Sequence, residues 1–317
     1  MVDVADARPG LRACSHPVVA ADRISAAASS SGIPCARGRG IDTHSDSRGR
    51  RRRLGARPGR CDDPVSVAPL IHVEVHEGVA TLVLDDPQRR NALSFELSSQ
   101  IVDALEALES DGGARALIVT GAPPAFCAGA DLAQLAGSDE TALRTIYAGF
   151  DRIVRCTMLT VAAVNGPAVG AGVNMALACD VRLASTEARF DTRFLALGLH
   201  PGGGHTWMLR RALPYGTAAA VLLGGDVLTG EDAARVGLAH RCVSGAELLA
   251  AARRLASNVA ACPPQLVARA KASLARAYGG EYAATVEHEL REQLWSIGEP
   301  FFAERVEALR RRISSTP

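Results

Sequence analysis

Two short turns crowded with small residues most restrict how this chain folds. They lie at residues 125–132 and 165–172, and each follows an apolar run, at 116–120 and 161–164, that predicts a buried strand. Small residues let the backbone approach a ligand closely, and the first N–H groups of a helix have no acceptor within that helix. Two such N–H groups that converge on one carbonyl oxygen form an oxyanion hole. The sequence therefore predicts a site that stabilises negative charge on an oxygen atom.

Around these turns the residue pattern predicts repeated units of two strands and one helix. Residues 71–76 alternate between apolar and polar side chains, Gly78 turns the chain, and residues 79–84 return as a second strand. Ser94 stands where it can cap a helix whose apolar residues recur at helical spacing. The later strands and helices of this part are predicted at residues 116–120, 140–156, 161–165, 171–179 and 181–184. Beyond Pro201 only helices are predicted, at residues 205–213, 215–223, 231–237, 246–260, 264–278 and 281–297.

The composition separates an N-terminal tail from the remainder of the chain. Residues 1–68 are rich in Arg, Ala, Ser and Gly and hold 12 basic and 7 acidic residues, so we expect this tail to be disordered. Three interpretations stay open: an incorrectly assigned start, with synthesis beginning near Val65, an arm that binds polyanions, or a transit peptide, which the aspartates disfavour. The net charge of the chain is +1, and the tail has five more basic than acidic residues. The remainder of the chain therefore carries a net charge of about −4. We therefore expect no nucleic-acid binding by the folded part.

Hydropathy and cysteine usage narrow the class of protein further. No run of about 18 apolar residues is present, so no membrane span is predicted. The eight cysteines show no paired spacing typical of a metal site, so we expect no metal and a reduced, cytoplasmic protein. Cys127 lies beside the first turn, but no sequence neighbour would lower its pKa, and we interpret it as a packing residue.

Six motifs make residues 71–312 resemble the enoyl-CoA hydratase/isomerase (crotonase) family in both order and spacing. They lie at residues 86–93, 126–132, 163–166, 178–180, 198–204 and 228–233. The resemblance implies an α/β fold in which a ββα spiral core, residues 69–225, binds acyl-CoA and a helical region, residues 226–317, follows it. In relatives the last helices pack across a homotrimer or a dimer of trimers. Here these helices have an apolar face that could pack against a second subunit or could cover their own subunit. It is formed by Leu290, Leu294, Trp295, Phe301 and Phe302.

The same resemblance assigns the oxyanion hole to the backbone N–H groups of Ala130 and Ala171, which would bind the thioester oxygen of an acyl-CoA. Relatives usually have glycine at the position of Ala171, but alanine keeps the main-chain donor. Ala171 also begins a predicted helix, whose dipole favours negative charge at that end. The alternative is that both turns only let a helix and a strand pack closely.

Further positions match segments that hold coenzyme A in relatives, where it enters as part of the substrate and not as a separate cofactor. Arg89 and Arg90 match a loop that lies along the coenzyme, and guanidinium groups suit its phosphates. Solvated arginines on an exposed loop are the alternative. Lys271, the only lysine of the chain, would reach a phosphate or lie on the surface. The segment that borders adenine and pantetheine in relatives corresponds to Asp131, Leu132 and Ala133.

The chain departs from the family at two positions that matter for proton transfer. Hydratases of the family place glutamates where the motifs put Asn174 and Phe194 here. Neither side chain exchanges a proton near neutral pH, and a general acid or base contributes roughly 10²- to 10⁴-fold in rate. His200 is our first candidate for a replacement, because imidazole titrates in the required range, although a packed and inert ring is the alternative. Asn174 could instead hold a water molecule or the thioester, and His205 could cap a helix.

Two hypotheses of different classes follow. In the first, the protein is an enzyme of fatty acid metabolism, classed with enoyl-CoA hydratases and isomerases, that forms an enolate and hydrates, isomerises or decarboxylates its substrate. Efficient hydration is not expected. In the second, the protein is a non-catalytic acyl-CoA carrier or scaffold. A dehalogenase-like branch fits poorly, because its nucleophilic carboxylate would fall at Gly202.

Overall fold

The structure is a computed structural model that describes residues 69–276, 282–298 and 300–314, so the predicted tail lies outside the described residues. The strands are β1 (Ile71–His76), β2 (Val79–Leu84), β3 (Ala116–Gly121), β4 (Leu159–Val164), β5 (Pro167–Val169), β6 (Val181–Ser185), β7 (Arg189–Asp191), β8 (Leu228–Thr229) and β9 (Arg241–Val243). The helices are α1 (Phe95–Asp111), α2 (Leu132–Leu135), α3 (Glu140–Val154), α4 (Ala171–Ala178), α5 (His205–Ala212), α6 (Tyr215–Leu222), α7 (Gly230–Val236), α8 (Gly245–Ala260), α9 (Pro264–Arg276), α10 (Tyr282–Ile297) and α11 (Pro300–Ser314).

Six strands form the main sheet in the order β1-β2-β3-β4-β6-β9, and β5, β7 and β8 form a second, smaller sheet. The strands β1 and β2 are antiparallel, and every other pair in the main sheet is parallel. Strand β3 is buried along its whole length, as expected for a parallel strand with helices on both faces of its sheet. The predicted α/β architecture is confirmed.

The side chains of the central strands divide between two apolar cores. Leu117 and Val119 belong to the larger core, which also holds the apolar faces of α1 and α3. Ala116 and Ile118 face the other way and pack against α8. Successive side chains of a strand point to opposite faces of its sheet, so a continuous apolar run is required when both faces are covered. The two cores fix the ends of β3 and β4, from which the two small-residue turns start.

Local sequence sets both ends of α1, and the predicted cap at Ser94 is confirmed. Ser94 accepts a hydrogen bond from the backbone N–H of Leu97 over 3.1 Å, and Gly112 ends the helix with a φ of +65°. The buried residues of α1 then pack against α3. No helix among the described residues is long and apolar enough to cross a lipid bilayer.

The chain after Pro201 differs from the prediction of helices alone. Strand β8 pairs with β7, and β9 extends the main sheet parallel to β6. These strands have two and three residues, which is too short for an alternating pattern to show in the sequence. The prediction was therefore wrong at these two strands, and α11 was not predicted.

The last helices cover their own chain. Leu290 of α10 and Phe302 of α11 are buried in the larger core. The hydroxyl of Tyr282 in α10 hydrogen-bonds Asp151 of α3 over 3.1 Å. Part of the predicted apolar face is thus used within one subunit, while assembly of several subunits stays a prediction. In the rest of that face Leu294 is half-buried, Trp295 is 63% exposed, and the side chain of Phe301 lies outside the described residues.

Candidate functional site

The two small-residue turns touch each other directly. Cys127 in the first turn and Ala168 in the second form a parallel β-bridge. The N–H of Cys127 donates to the carbonyl of Pro167 over 3.1 Å, and the N–H of Val169 donates to the carbonyl of Cys127 over 3.0 Å. The turns are 40 residues apart in the chain, and these main-chain bonds fix one against the other.

Glycine permits this close contact. A Cβ atom on Gly172 would lie 2.1 Å from the carbonyl oxygen of Cys127, which no side chain can occupy. Gly129 has a φ of +101°, and its Cβ would lie 2.8 Å from the carbonyl oxygen of Val169 and 3.8 Å from the nitrogen of Ala171. The small residues therefore serve both the packing of the turns and access to the N–H groups beside them.

Two asparagines, the buried Asn91 and the half-buried Asn165, hold the turns to the strand ends. Asn91 has a φ of +58° and donates through its carboxamide to the carbonyls of Ala122 and Ala125, each over 2.8 Å. Asn165 accepts from the N–H of Gly121 over 3.1 Å and donates to its carbonyl over 2.9 Å. Neither residue was predicted from the sequence to have this role. An asparagine beside each turn was the available signal, because asparagine tolerates left-handed backbone and bonds main-chain groups.

Both turns line one cavity, and the predicted oxyanion residues Ala130 and Ala171 lie in its wall. Neither of their backbone N–H groups has a hydrogen-bond acceptor among the described residues. Ala171 is the first residue of α4, so the positive end of that helix dipole is at the cavity wall. Much of the remaining wall is apolar and includes Leu132, Leu135, Ile146, Phe150, Phe194 and Leu199.

The polar part of the described wall holds carboxamides, hydroxyl groups and one arginine. Among the described residues that line the cavity, none carries a carboxylate, an imidazole or a thiol. The polar side chains in the wall are those of Tyr147, Asn174, Thr192, Arg193 and Gln293. Asn174 and Phe194 stand where hydratases of the family have glutamates, and both residues line the cavity. The two missing glutamates are therefore missing from the predicted site itself.

Asn174 is held by two partners. Its Nδ2 donates to the carbonyl of Gly202 over 2.9 Å, and its Oδ1 lies 2.6 Å from Nδ1 of His205. His205 is fully buried, and this burial lowers its pKa to about 3, so its imidazole is neutral at pH 7. The ring of Phe194 packs on His205 with 4.8 Å between ring centroids. His205 therefore contacts a cavity residue, which its interpretation as a helix cap did not anticipate.

His200 lies elsewhere. It is half-buried, its Nδ1 is 2.8 Å from the carbonyl oxygen of Pro201, and it is not part of the cavity wall. Its neighbour Leu199 points into the cavity instead. This placement gives no support to the prediction that His200 acts as the base.

Of the residues predicted to hold coenzyme A, Leu132 lies in the cavity wall, and several of the others have partners within the protein. Arg89 donates to Asp86 over 2.6 Å and reaches Asp131 at 3.4 Å. Asp131 caps α2 by accepting the N–H of Ala133 over 2.8 Å, while Leu132 lies in the cavity wall. Arg90 is exposed, and its guanidinium has no ion pair among the described residues. Arg90 is thus the arginine of this loop that remains available to a ligand.

Two other residues singled out in the sequence have structural partners. Burial raises the pKa of the Cys127 thiol to about 11, in agreement with its interpretation as a packing residue. Lys271 forms an ion pair with Asp180 at 2.7 Å and donates to the carbonyl of Met158 over 2.9 Å, so it fastens α9 to the core. Within the described residues, no cluster of three metal-binding side chains occurs.

Comparison with known proteins gives a consistent family. The sequence model of the enoyl-CoA hydratase/isomerase family matches residues 74–297. The chain is 43% identical over 260 residues to a probable enoyl-CoA hydratase, EchA14, of Mycobacterium tuberculosis, a match that covers 79% of this chain and 98% of the relative. It is 30% identical over 248 residues to 4-chlorobenzoyl coenzyme A dehalogenase-2 of an Arthrobacter species, which covers 76% of this chain and 90% of the relative.

Solved structures agree with the sequence relatives. The enoyl-CoA hydratase/isomerase of Pseudoalteromonas atlantica superposes with a TM-score of 0.72 at 29% identity, over 77% of this chain and 98% of the other. Pseudomonas aeruginosa OdaA superposes with a TM-score of 0.71 at 29% identity, over 76% and 99%. The residues that the family comparison covers include both turns and the whole described wall of the cavity.

Proposed function

The chain belongs to the enoyl-CoA hydratase/isomerase family, and from this premise we propose that it binds an acyl-CoA thioester in the cavity and stabilises an enolate formed from it. The observation that carries the proposal is the position of Ala130 and Ala171. Both residues line one cavity, their turns are hydrogen-bonded to each other, and their N–H groups have no acceptor among the described residues. An oxyanion donor of this kind is worth about 3 to 4 kcal/mol in barrier height.

The surroundings suit the two halves of such a ligand. The wall beyond the turns is largely apolar, which favours a hydrocarbon acyl group. Arg90 is exposed and provides a guanidinium with no ion pair among the described residues for a phosphate, and Leu132 provides apolar surface for pantetheine. Coenzyme A is then part of the substrate, and the proposal requires no separate cofactor. A trimeric or hexameric assembly and a cytoplasmic location stay predictions.

The reaction we propose is enolate chemistry with weak acid–base assistance. Hydration of an enoyl-CoA requires a proton donor and a base, and each contributes roughly 10²- to 10⁴-fold in rate. Asn174 and Phe194 supply neither. We therefore expect hydration to be slow, while the thioester oxygen remains polarised by the two N–H groups.

A non-catalytic acyl-CoA carrier is the second candidate. The absence of a carboxylate, imidazole or thiol from the described cavity wall favours it. The dehalogenase relative suggests a third reaction, but the packing here opposes it. A Cβ atom on Gly202 would lie 2.2 Å from Oε1 of Gln293 and 2.4 Å from the hydroxyl of Tyr147, so a carboxylate at that position would require both side chains to move.

Exchange of the α-hydrogen in D₂O distinguishes these candidates. The purified full chain is incubated with saturated and α,β-unsaturated acyl-CoAs, affinity is measured by calorimetry, and deuterium is measured by mass spectrometry. The enzyme proposal expects binding and exchange, whereas the carrier expects binding alone. Absence of binding to every thioester would overturn both.

A proline at the first position of α4 tests the oxyanion hole itself. Proline is well tolerated at the first residue of a helix, and Ala171→Pro replaces the amide hydrogen in question with the Cδ atom of the ring. We expect exchange to fall by about 10²-fold or more, since one oxyanion donor is lost. The matched control is Glu140→Pro, at the exposed first residue of α3, which should leave exchange unchanged.

A further inference from the structure

His205 and Asn174 form a buried polar unit that the proposed chemistry does not use. They lie 31 residues apart in the chain, on α5 and α4, and join through the 2.6 Å contact between Nδ1 and Oδ1. Asn174 lines the cavity, whereas His205 lies behind it and is fully buried. The opposite side of the imidazole, Nε2, has no hydrogen-bond partner among the described residues.

The hydrogen bonds define which atoms of this unit carry hydrogen. The carbonyl of Gly202 can only accept, so the atom of Asn174 that faces it, at 2.9 Å, must be the donor Nδ2. The carboxamide oxygen of Asn174 therefore faces His205 and must accept from it. Since the imidazole is neutral, its single N–H is on Nδ1, and Nε2 is left as a bare, buried nitrogen.

This arrangement fixes the carboxamide in one orientation. If the amide of Asn174 were reversed, its oxygen would face the carbonyl oxygen of Gly202. If His205 instead carried its hydrogen on Nε2, the oxygen of Asn174 would lose its hydrogen-bond donor. Each change leaves buried polar atoms unpaired, which costs about 1–3 kcal/mol per group. One N–H of Asn174 is used by Gly202, and the other remains for a ligand in the cavity that Asn174 lines.

We infer that His205 is a positioning residue that holds the Asn174 carboxamide so that it presents a hydrogen-bond donor to the acyl group beside the thioester. Asn174 is one helical turn after Ala171 on α4, and residues three apart on a helix are neighbours. The site would thus offer a third donor near the two backbone N–H groups. The identity of the ligand rests on the proposed function. The hydrogen bonds that hold Asn174 between Gly202 and His205, which we call the hydrogen-bond lock, do not depend on that proposal.

Nitrogen-15 spectra of the imidazoles test the lock without any substrate. The full chain is labelled at its histidines, and the signals of His205 are identified by their loss in His205→Asn. We expect the Nδ1–H tautomer, neutral between pH 5 and pH 8, with the signal unchanged across that range. An Nε2–H tautomer, or titration of this ring near pH 6.5, would overturn the inference.

Two substitutions at His205 test its effect on the acyl group. His205→Asn keeps a nitrogen donor at the position of Nδ1, whereas His205→Phe keeps a ring and removes the donor. We expect His205→Phe to lower α-hydrogen exchange at saturating acyl-CoA about tenfold with little change in KM, since one hydrogen bond made to the reacting acyl group is lost. His205→Asn should stay within about threefold of the parent, since the bond is kept.

The controls separate this inference from the proposed function. His240→Asn, at an exposed histidine outside the cavity, should leave exchange unchanged. An equal loss in His205→Asn and His205→Phe would show a packing role alone and would overturn the inference. If the parent binds acyl-CoA without exchange, the imidazole spectra alone decide whether the hydrogen-bond lock exists. If the parent binds no acyl-CoA, the proposed function fails, and the spectra still decide whether the lock exists.

Discussion

Gly172 lies so close to Cys127 that a Cβ atom at this position would be 2.1 Å from the Cys127 carbonyl oxygen. That oxygen also accepts the N–H of Val169 over 3.0 Å, so it cannot move without breaking the bond between the two turns. The spacing of the two proposed oxyanion donors therefore depends on the absence of a side chain at one residue.

Replacing Gly172 with alanine should separate the turns. Overpacking of this kind costs about 1–3 kcal/mol in stability, and a shift of the donors should lower α-hydrogen exchange at least tenfold. The measurement is exchange at saturating acyl-CoA, together with urea unfolding.

Gly216→Ala is the matched control, because its Cβ meets nothing within 4 Å. Alanine at this second residue of α6 should stabilise the protein by up to about 0.5–1 kcal/mol without affecting exchange. Equal exchange in the parent and in Gly172→Ala would contradict this account.

Removing the carboxamide of Asn91 should destabilise the first turn. Asn91→Ala leaves the carbonyls of Ala122 and Ala125 without this donor and places alanine at a φ of +58°. We expect a loss of about 3 kcal/mol or more in the free energy of unfolding, measured in urea. Asn91→Gly tolerates the backbone conformation but still lacks the carboxamide, so it should recover only part of the loss. The exposed Asn258→Ala serves as the neutral comparison.

The local features of the site could be predicted from the sequence, and its long-range contacts could not. The small residues at 125–132 and 165–172 place the turns because each turn is defined by its own backbone requirements. The strand β9 has three residues, and its pairing with β6 depends on a chain segment almost 60 residues away. The contact between Asn174 and His205 likewise depends on how α4 and α5 pack. The role of His200 as a base stays a prediction.

Arg90, more than Arg89, should contribute to coenzyme A binding. Arg90 is exposed and without an ion pair among the described residues, whereas Arg89 is bound to Asp86. Arg90→Ala should raise KM for acyl-CoA roughly tenfold with kcat unchanged, because a charge-assisted bond to a phosphate acts equally on substrate and transition state. The effect should shrink at high salt. Arg253→Ala, at an exposed arginine on α8, is the control for net charge. An unchanged KM for Arg90→Ala at low salt would place the coenzyme phosphates elsewhere.

The buried imidazole of His205 should make the protein less stable in mild acid. Burial lowers its pKa to about 3 from an ordinary value near 6.5, so between these values the unfolded chain binds a proton that the native chain does not. Stability therefore falls as the pH decreases through this window and is unaffected by this group above about pH 6.5. At pH 4.5 the loss from this one residue is about 3 kcal/mol relative to pH 7.

In His205→Asn this contribution is absent, while the carboxylates that also titrate in acid are unchanged. Urea unfolding of both proteins at pH 7 and pH 4.5 measures the difference. If the two proteins lose the same free energy on acidification, His205 is not held neutral in the native state.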